Sequence, residues 1–592
     1  MRAEHKAYFL GPKAENEAWV RAEFQAILDY WFRWRKGLFP DDPAAISRQE
    51  QLAPDYLRER SRLTSALEEL NQLLEGELPK FPPRYIGHMV SELALPALFG
   101  HFATLLHNPN NTTREASRIG SLIEDDLIKM LSSMVGYDPK VATGHVTGGG
   151  TVANFEAMWR ARFRQDHWLA LALYLAEEEN VKLRLFEAAH MGWKRFHDLV
   201  GEYNIDGNNL RSYSAIAGNP YHFGERMSHC FGTAYRGPVI LVPQNKHFSW
   251  QKGTNIFGFG ESAFWPVALD DNGKLDISSL KQAIAKAREE RRPILMVVSI
   301  AGTTETGEID PVHKVQACLD EYRREMGWDI WHHVDAAYGS FMCSMLRGAN
   351  GSPLTEENQA ALAALGAAHS VTVDPHKHGY VPYACGAILV KDEDCYTVSS
   401  FNAPYLDRQD GQANHRSQDR WSTTLEGSRP ATGAAATWLT GRSLGFDAKG
   451  LGRIIADTIA ACRTFKKEMC DTLPYFRPLE PTDTNILCFS LAETGEALSD
   501  VNERTAALYE LIYQSDGFSV SKTTLALDLQ QGIIRQHVTQ YNGDLDDDKL
   551  VLIRCVFMNP FWGDEDLASR LASEFGEDLR RWYEKVCSSE AS

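Results

Sequence analysis

No apolar stretch in this sequence approaches the roughly 20 residues that a bilayer-spanning helix needs, so a membrane protein is not expected. The opening residues, MRAEHKAYFLGPKAENEAW, lack the apolar core of a secretory signal. The ten cysteines form no CxxC pair and no regular framework, a pattern that fits reduced thiols in a cytosol and makes a cytoplasmic location the expectation. Positive charge is also short: 61 Lys and Arg stand against 79 Asp and Glu, for a formal net charge of -18. Such a chain repels phosphate backbones and anionic lipid, so neither nucleic acid nor a membrane surface is an expected partner. Neither GxxxxGK[ST] nor GxGxxG occurs at the one prominent glycine turn, which weakens nucleotide-binding readings. Internal repeats and low-complexity tracts are missing too.

What is present is the balance of an ordinary globular protein, 44% apolar and 24% charged over 592 residues, with room for two or three domains. Residues 1–105 read as a helical N-terminal segment. In EASRIGSLIEDDLIKMLSSMVGY the apolar spacing predicts a helix that presents Ile119, Leu122, Ile123, Leu127, Leu131 and Met134 on one face and ends near Gly136. Residues 106–435 change in texture after a polar helical stretch. Short β-branched runs appear (GPVILVPQ, ILMVVSIAGTT, DIWHHVDAAYG, SVTVDPHK, GAILV), separated by helical or irregular segments. Strands alternating with helices predict an α/β fold with a mostly parallel central sheet covered on both faces. Residues 436–592 mix helix and strand again, as a small α+β C-terminal domain would.

Ligands of such sheets bind beyond the carboxyl ends of the strands, and four motifs fall there. VTVDPHKHGY places Lys377 after an apolar strand, where partial burial favours a nucleophilic amine. The flanking His376 and His378 have no third partner at metal-binding spacing. In HVDAAYG, Asp335 ends a strand with its carboxylate towards the site, and Ala337 faces the same side, small enough to admit a flat ring. Pyridoxal 5′-phosphate (PLP) chemistry needs such a carboxylate to keep the pyridine nitrogen protonated. Gly148, Gly149 and Gly150 run into a helix, whose bare N–H groups and dipole suit a phosphate. In PQNKHFSWQKG, His247 follows another strand, where an imidazole can stack on an aromatic cofactor. Singly each motif has a structural explanation, such as Asp335 capping a turn. Together they supply an anchor, an electron sink, a phosphate site and a stacking face.

From about residue 85 to 575 the sequence resembles the group II PLP-dependent amino-acid decarboxylases, most specifically in DPHKHGYVPYACGAILV, HVDAAYG, KHFSW and IRCVFMNP. RYIGHMVSE and VPYACGAILV look most like the bacterial tyrosine decarboxylases of that family. The resemblance implies the aspartate-aminotransferase type of fold (PLP fold type I) and a homodimer with sites at the interface. It implies Lys377 as the Schiff-base lysine, Asp335 at the pyridine nitrogen, and Ala337 and His247 on opposite faces of the ring. Thr151, Val152 and Ala153 would cradle the phosphate, with Ala153 standing where many relatives carry serine. His376 would lie near the phosphate and Thr304 near the phenolic oxygen of the cofactor. Arg554 matches the arginine that holds the substrate carboxylate, and Tyr405 the tyrosine of the catalytic loop, which would protonate Cα directly or through His247. His88 matches a position within reach of a phenol hydroxyl, or is a structural histidine near a dimer interface.

The expected reaction is decarboxylation of an L-amino acid, tyrosine or another aromatic or hydrophobic one, to the amine and CO2. Glutamate is the alternative substrate. An aminotransferase would share Lys377 and Asp335 but needs no loop tyrosine. An aldehyde-forming relative would lack the tyrosine at 405, and a non-catalytic relative would be free to lose Lys377, Asp335 or Arg554.

Overall fold

The computed structural model describes residues 1–348, 351–399 and 420–590. All five apolar runs form strands. The central sheet has seven: β1 (Thr143–Thr147), β2 (Val239–Pro243), β3 (Phe264–Val267), β4 (Ile294–Ile300), β5 (His332–Asp335), β6 (Ser370–Val373) and β7 (Gly386–Val390). Their order is β1-β7-β6-β5-β4-β2-β3. The pairs from β6 through β3 are parallel, whereas β7 runs antiparallel to both β6 and β1. Every residue of β2, β4, β5, β6 and β7 is buried, because helices cover both faces and leave no side that can be polar. The chain is therefore of PLP fold type I, with a mostly parallel central sheet.

The 28-residue helix Gly150–Glu177 crosses the sheet and buries side chains nearly all round. The helix Gly120–Val135 ends where expected, at Gly136 in the left-handed region (φ 96°). Its buried face differs from the predicted one. Leu127, Leu131 and Met134 are buried, but Ile119 (66% exposed) and Leu122 (48%) face solvent, and the fully buried Glu124 takes the inward side. Glu124 turns inward because Arg420 and Arg429, from far along the chain, meet it there.

A second, antiparallel sheet of order β10-β11-β9-β8 comprises β8 (Phe476–Pro478), β9 (Ile486–Leu491), β10 (Ser521–Ala526) and β11 (Lys549–Val556). Helices Leu451–Thr472, Leu498–Tyr513 and Glu565–Glu590 pack against it around Phe465, Phe489 and Phe575. Near the N-terminus, helices Glu17–Leu38 and Pro54–Leu74 bury none of their residues. Among the described residues no helix is long and apolar enough to cross a membrane.

Candidate active site

The ends of β2, β4, β5 and β6 and the glycine turn after β1 converge on one cavity of about 300 Å³. Strand alternation explains what each element contributes. β5 stops at Asp335, and the turn beyond it brings Ala337 to the same wall. β6 stops at Val373, after which Asp374, His376 and Lys377 line the cavity. β2 supplies Asn245 and His247, and β4 supplies Gly302 and Thr304.

Lys377 is 19% exposed, and its Nζ lies 3.3 Å from Asp374 Oδ2. Asp335 Oδ2 accepts hydrogen bonds from Asn154 Nδ2 (2.8 Å) and Trp250 Nε1 (3.2 Å). Its other oxygen has only a long contact with the Ala337 N–H (3.4 Å), so one acceptor remains for a ligand. The helix Gly150–Glu177 opens the site with its positive end, and the N–H groups of residues 150–152 have no carbonyl one turn back. At Gly150 a Cβ would stand 2.8 Å from Asp374 Oδ2 and 3.2 Å from the Ala337 methyl, so only glycine lets this turn approach. Gly149 holds φ 150°, which side chains rarely adopt. His376 packs against Tyr383 (centroids 4.3 Å apart) and is bonded through Nδ1 to the Cys385 carbonyl at 2.5 Å. Burial, then the charge of Lys377, pull its pKa below the usual value despite Asp374. His378 stands apart, buried against the Tyr338 carbonyl and Asn485.

Four of the expected residues stand differently. Ala153 does not line the cavity: its methyl packs in the core and its N–H is bonded to the Gly149 carbonyl at 3.1 Å. The N–H groups left bare at this turn are thus those of Gly150, Thr151 and Val152. Arg554 also lies behind the wall. Nε donates to Glu305 O (2.9 Å), Nη1 to Gly87 O (2.9 Å) and Ser521 Oγ (3.2 Å), and Nη2 to Thr304 O (2.7 Å). Of the five N–H groups of an arginine, one on Nη2 is left. His88 stands outside the cavity lining, near Arg554 and Glu305. Partial desolvation, then the Arg554 charge, lower its pKa. Tyr405 lies outside the described residues.

Six lining residues were not singled out from sequence: Asn245, Ile300 and Gly302, which follow or end apolar strands, and Asp374, Tyr383 and Asn154. Asp374 was legible as the first residue of DPHK, three before the lysine. Tyr383 carried the weak signal of an aromatic in the VPYACG turn. Asn154 carried none, since TVANFEAMW reads as plain helix.

A lysine, a half-satisfied carboxylate and a helix N-terminus placed at the ends of parallel strands of this sheet define a PLP enzyme. The comparisons narrow the class. Residues 225–492 match the model of the pyridoxal-dependent decarboxylase conserved domain. The L-tyrosine decarboxylase of Enterococcus faecium is 27% identical over 98% of this chain and 99% of its own length. That of Levilactobacillus brevis is 29% identical over 85% and 82%. The structure of Catharanthus roseus tryptophan decarboxylase with L-tryptophan superposes with a TM-score of 0.60 at 14% identity, covering 98% of this chain and 99% of the other. Over residues 225–492 the chain carries the pyridoxal-dependent decarboxylase domain, and its near full-length similarity to L-tyrosine decarboxylases supports an amino-acid decarboxylase that uses PLP.

Proposed function

We propose that this protein binds PLP through Lys377 and removes the α-carboxylate of an L-amino acid, with tyrosine as first candidate, releasing the amine and CO2. The observation that carries this is the Lys377 amine and the Asp335 carboxylate on the walls of one glycine-edged cavity. PLP, when bound, supplies an electron-withdrawing ring that takes up the electron pair left by the departing carboxylate. The residues fit that group. Asp335 would keep a proton on the ring nitrogen, Ala337 and His247 would contact the ring, the N–H groups at 150–152 and His376 would hold the phosphate, and Thr304 would meet the phenolic oxygen. Arg554 offers its remaining Nη2 N–H to the substrate carboxylate. Tyr405 returns a proton to Cα.

Tyrosine is supported by the activities named for the two bacterial relatives, and His88, near Arg554, is the residue we assign to its phenol. We further infer a homodimer in the cytoplasm. In support, two helices of 22 and 21 residues bury nothing within the chain yet display Trp34, Leu63 and Leu73, and all ten thiols are free. The test is borohydride reduction of PLP-loaded protein followed by peptide mapping and, on separate unreduced PLP-loaded protein, incubation with each of the twenty amino acids. Covalent cofactor on the Lys377 peptide and tyramine with CO2 from tyrosine are expected. Label elsewhere, or no amine from any amino acid, refutes the assignment.

A further inference from the structure

Asn154 lies one turn into the helix Gly150–Glu177, is 2% exposed, and touches the cavity. All four hydrogen-bonding positions of its amide are used. Oδ1 accepts from Thr372 Oγ1 (2.7 Å) and from His333 Nε2 (3.2 Å). Nδ2 donates to Asp335 Oδ2 (2.8 Å) and to Ser249 Oγ (2.9 Å).

Two donors at the edges of this cluster cannot reverse. Trp331 Nε1 can only donate, and it donates to Ser370 Oγ (2.9 Å). Ser370 Oγ lies 2.8 Å from His333 Nδ1, and the Asp335 carboxylate, which only accepts, fixes the Asn154 NH2 on its own side, so that Oδ1 faces Thr372 Oγ1 and His333 Nε2 as the acceptor. Burial, which lowers the pKa of His333 to about 4, keeps that ring neutral despite Asp335. The amide is therefore held with its NH2 towards Asp335 and Ser249. On the far side, the Ser249 backbone N–H, another irreversible donor, points at His247 Nδ1 (3.2 Å), with Ser249 Oγ also 3.0 Å away. His247 Nδ1 must then be an acceptor, and its proton sits on Nε2. Asp335 Oδ2 holds two N–H donors at once.

We propose that Asn154 is a positioning residue that holds Asp335 with one oxygen free towards the cofactor and, through the Ser249 hydroxyl, steadies His247, so that both face the cofactor together. This rests on the PLP reading of the cavity. It extends that reading by stating why the pyridinium partner and the stacking histidine act together: one amide serves both. The titratable groups around the amide are Asp335 and His333 from β5, His247 after β2, and Asp374, His376 and Lys377 across the cavity.

The test is a titration of apoprotein with PLP, read by cofactor absorbance and by quenching of tryptophan fluorescence, at pH 5.5 and pH 8. Asn154→Asp keeps the shape and the acceptors but loses the donors. At pH 8 two adjacent carboxylates repel, and PLP is expected to bind at least about tenfold more weakly than to wild type. At pH 5.5 a shared proton restores one donor, and the gap narrows. A residue that merely filled space would show no such pH dependence. Thr372→Val, nearly isosteric, removes the hydroxyl that orients the amide and should weaken PLP several-fold; it carries the test if Asn154→Asp does not fold. Wild-type protein that takes up no PLP refutes the cofactor reading itself. Wild-type uptake with variant curves within twofold at both pH values overturns the role of Asn154.

Discussion

Substituting Glu124 by Gln should cost the protein about 3 kcal/mol of stability at pH 7 and loosen the strand that feeds the glycine turn. Glu124 is fully buried. Its Oε1 accepts from the Val146 N–H of β1 (2.8 Å) and pairs with Arg429 Nη1 (2.5 Å) and Arg420 Nη1 (3.2 Å), while Oε2 accepts from Asn111 (3.0 Å). Burial by itself would raise its pKa, but Arg420 and Arg429 draw it from 4.5 down to about 2. At about 1.4 kcal/mol per pKa unit, that difference is worth about 3 kcal/mol, in line with the penalty for leaving buried cations without their anion. Because the folded pKa lies below the unfolded one, the contribution is complete above pH 4.5 and fades as pH falls towards 2. Urea unfolding of wild type and Glu124→Gln apoprotein, at pH 7 and at steps below pH 4.5, reads both the size and the trend. A gap below about 1 kcal/mol at pH 7, or one that does not shrink on acidification, would refute the reasoning.

Asp335→Asn, which keeps the shape and loses the charge, should lower kcat by several powers of ten, each worth about 1.4 kcal/mol of barrier; steady-state rates within twofold of wild type would remove Asp335 from the ring nitrogen. Glu308 behaves oppositely to Glu124: burial, opposed by the Thr303 and Thr306 hydroxyls, raises it to about 7, so it costs stability increasingly as pH climbs from 4.5 to 7, by about 3 kcal/mol in all. Glu308→Gln should flatten that decline in unfolding midpoints measured from pH 5 to 8, and parallel curves would contradict it. Tyr405→Phe should leave CO2 release largely intact while amine formation slows sharply and aldehyde, ammonia and peroxide appear in air; unchanged amine with no aldehyde would move the proton donor to His247.

The strands were legible because buried parallel strands must be apolar on both faces, a pattern that needs no knowledge of their neighbours. The polar residues at their ends were legible for a related reason: after a fully apolar run, a Lys377 or an Asp335 stands out. Asn154 did not, because a single amide in a helix has no pattern to break. Its role is created by Thr372, His333 and Asp335, which reach it from two strands nearly two hundred residues and more away. The same distance explains the error in the helix at 120–135, where apolar spacing pointed to Ile119 and Leu122 and two remote arginines chose Glu124.

Arg554 marks a subtler boundary between what residue type and structure each convey. Its identity and its place in IRCVFMNP suggest a carboxylate clamp, and a free guanidinium would grip a carboxylate with two parallel bonds. In the folded chain four of its five N–H groups are already committed, to Glu305, Gly87, Ser521 and Thr304. A substrate carboxylate can therefore gain one bond outright. A second, parallel bond would have to come from Nε or Nη1, which Glu305, Gly87 and Ser521 already hold, so the folded protein commits this guanidinium first to binding the Gly87 and Glu305 segments to β11.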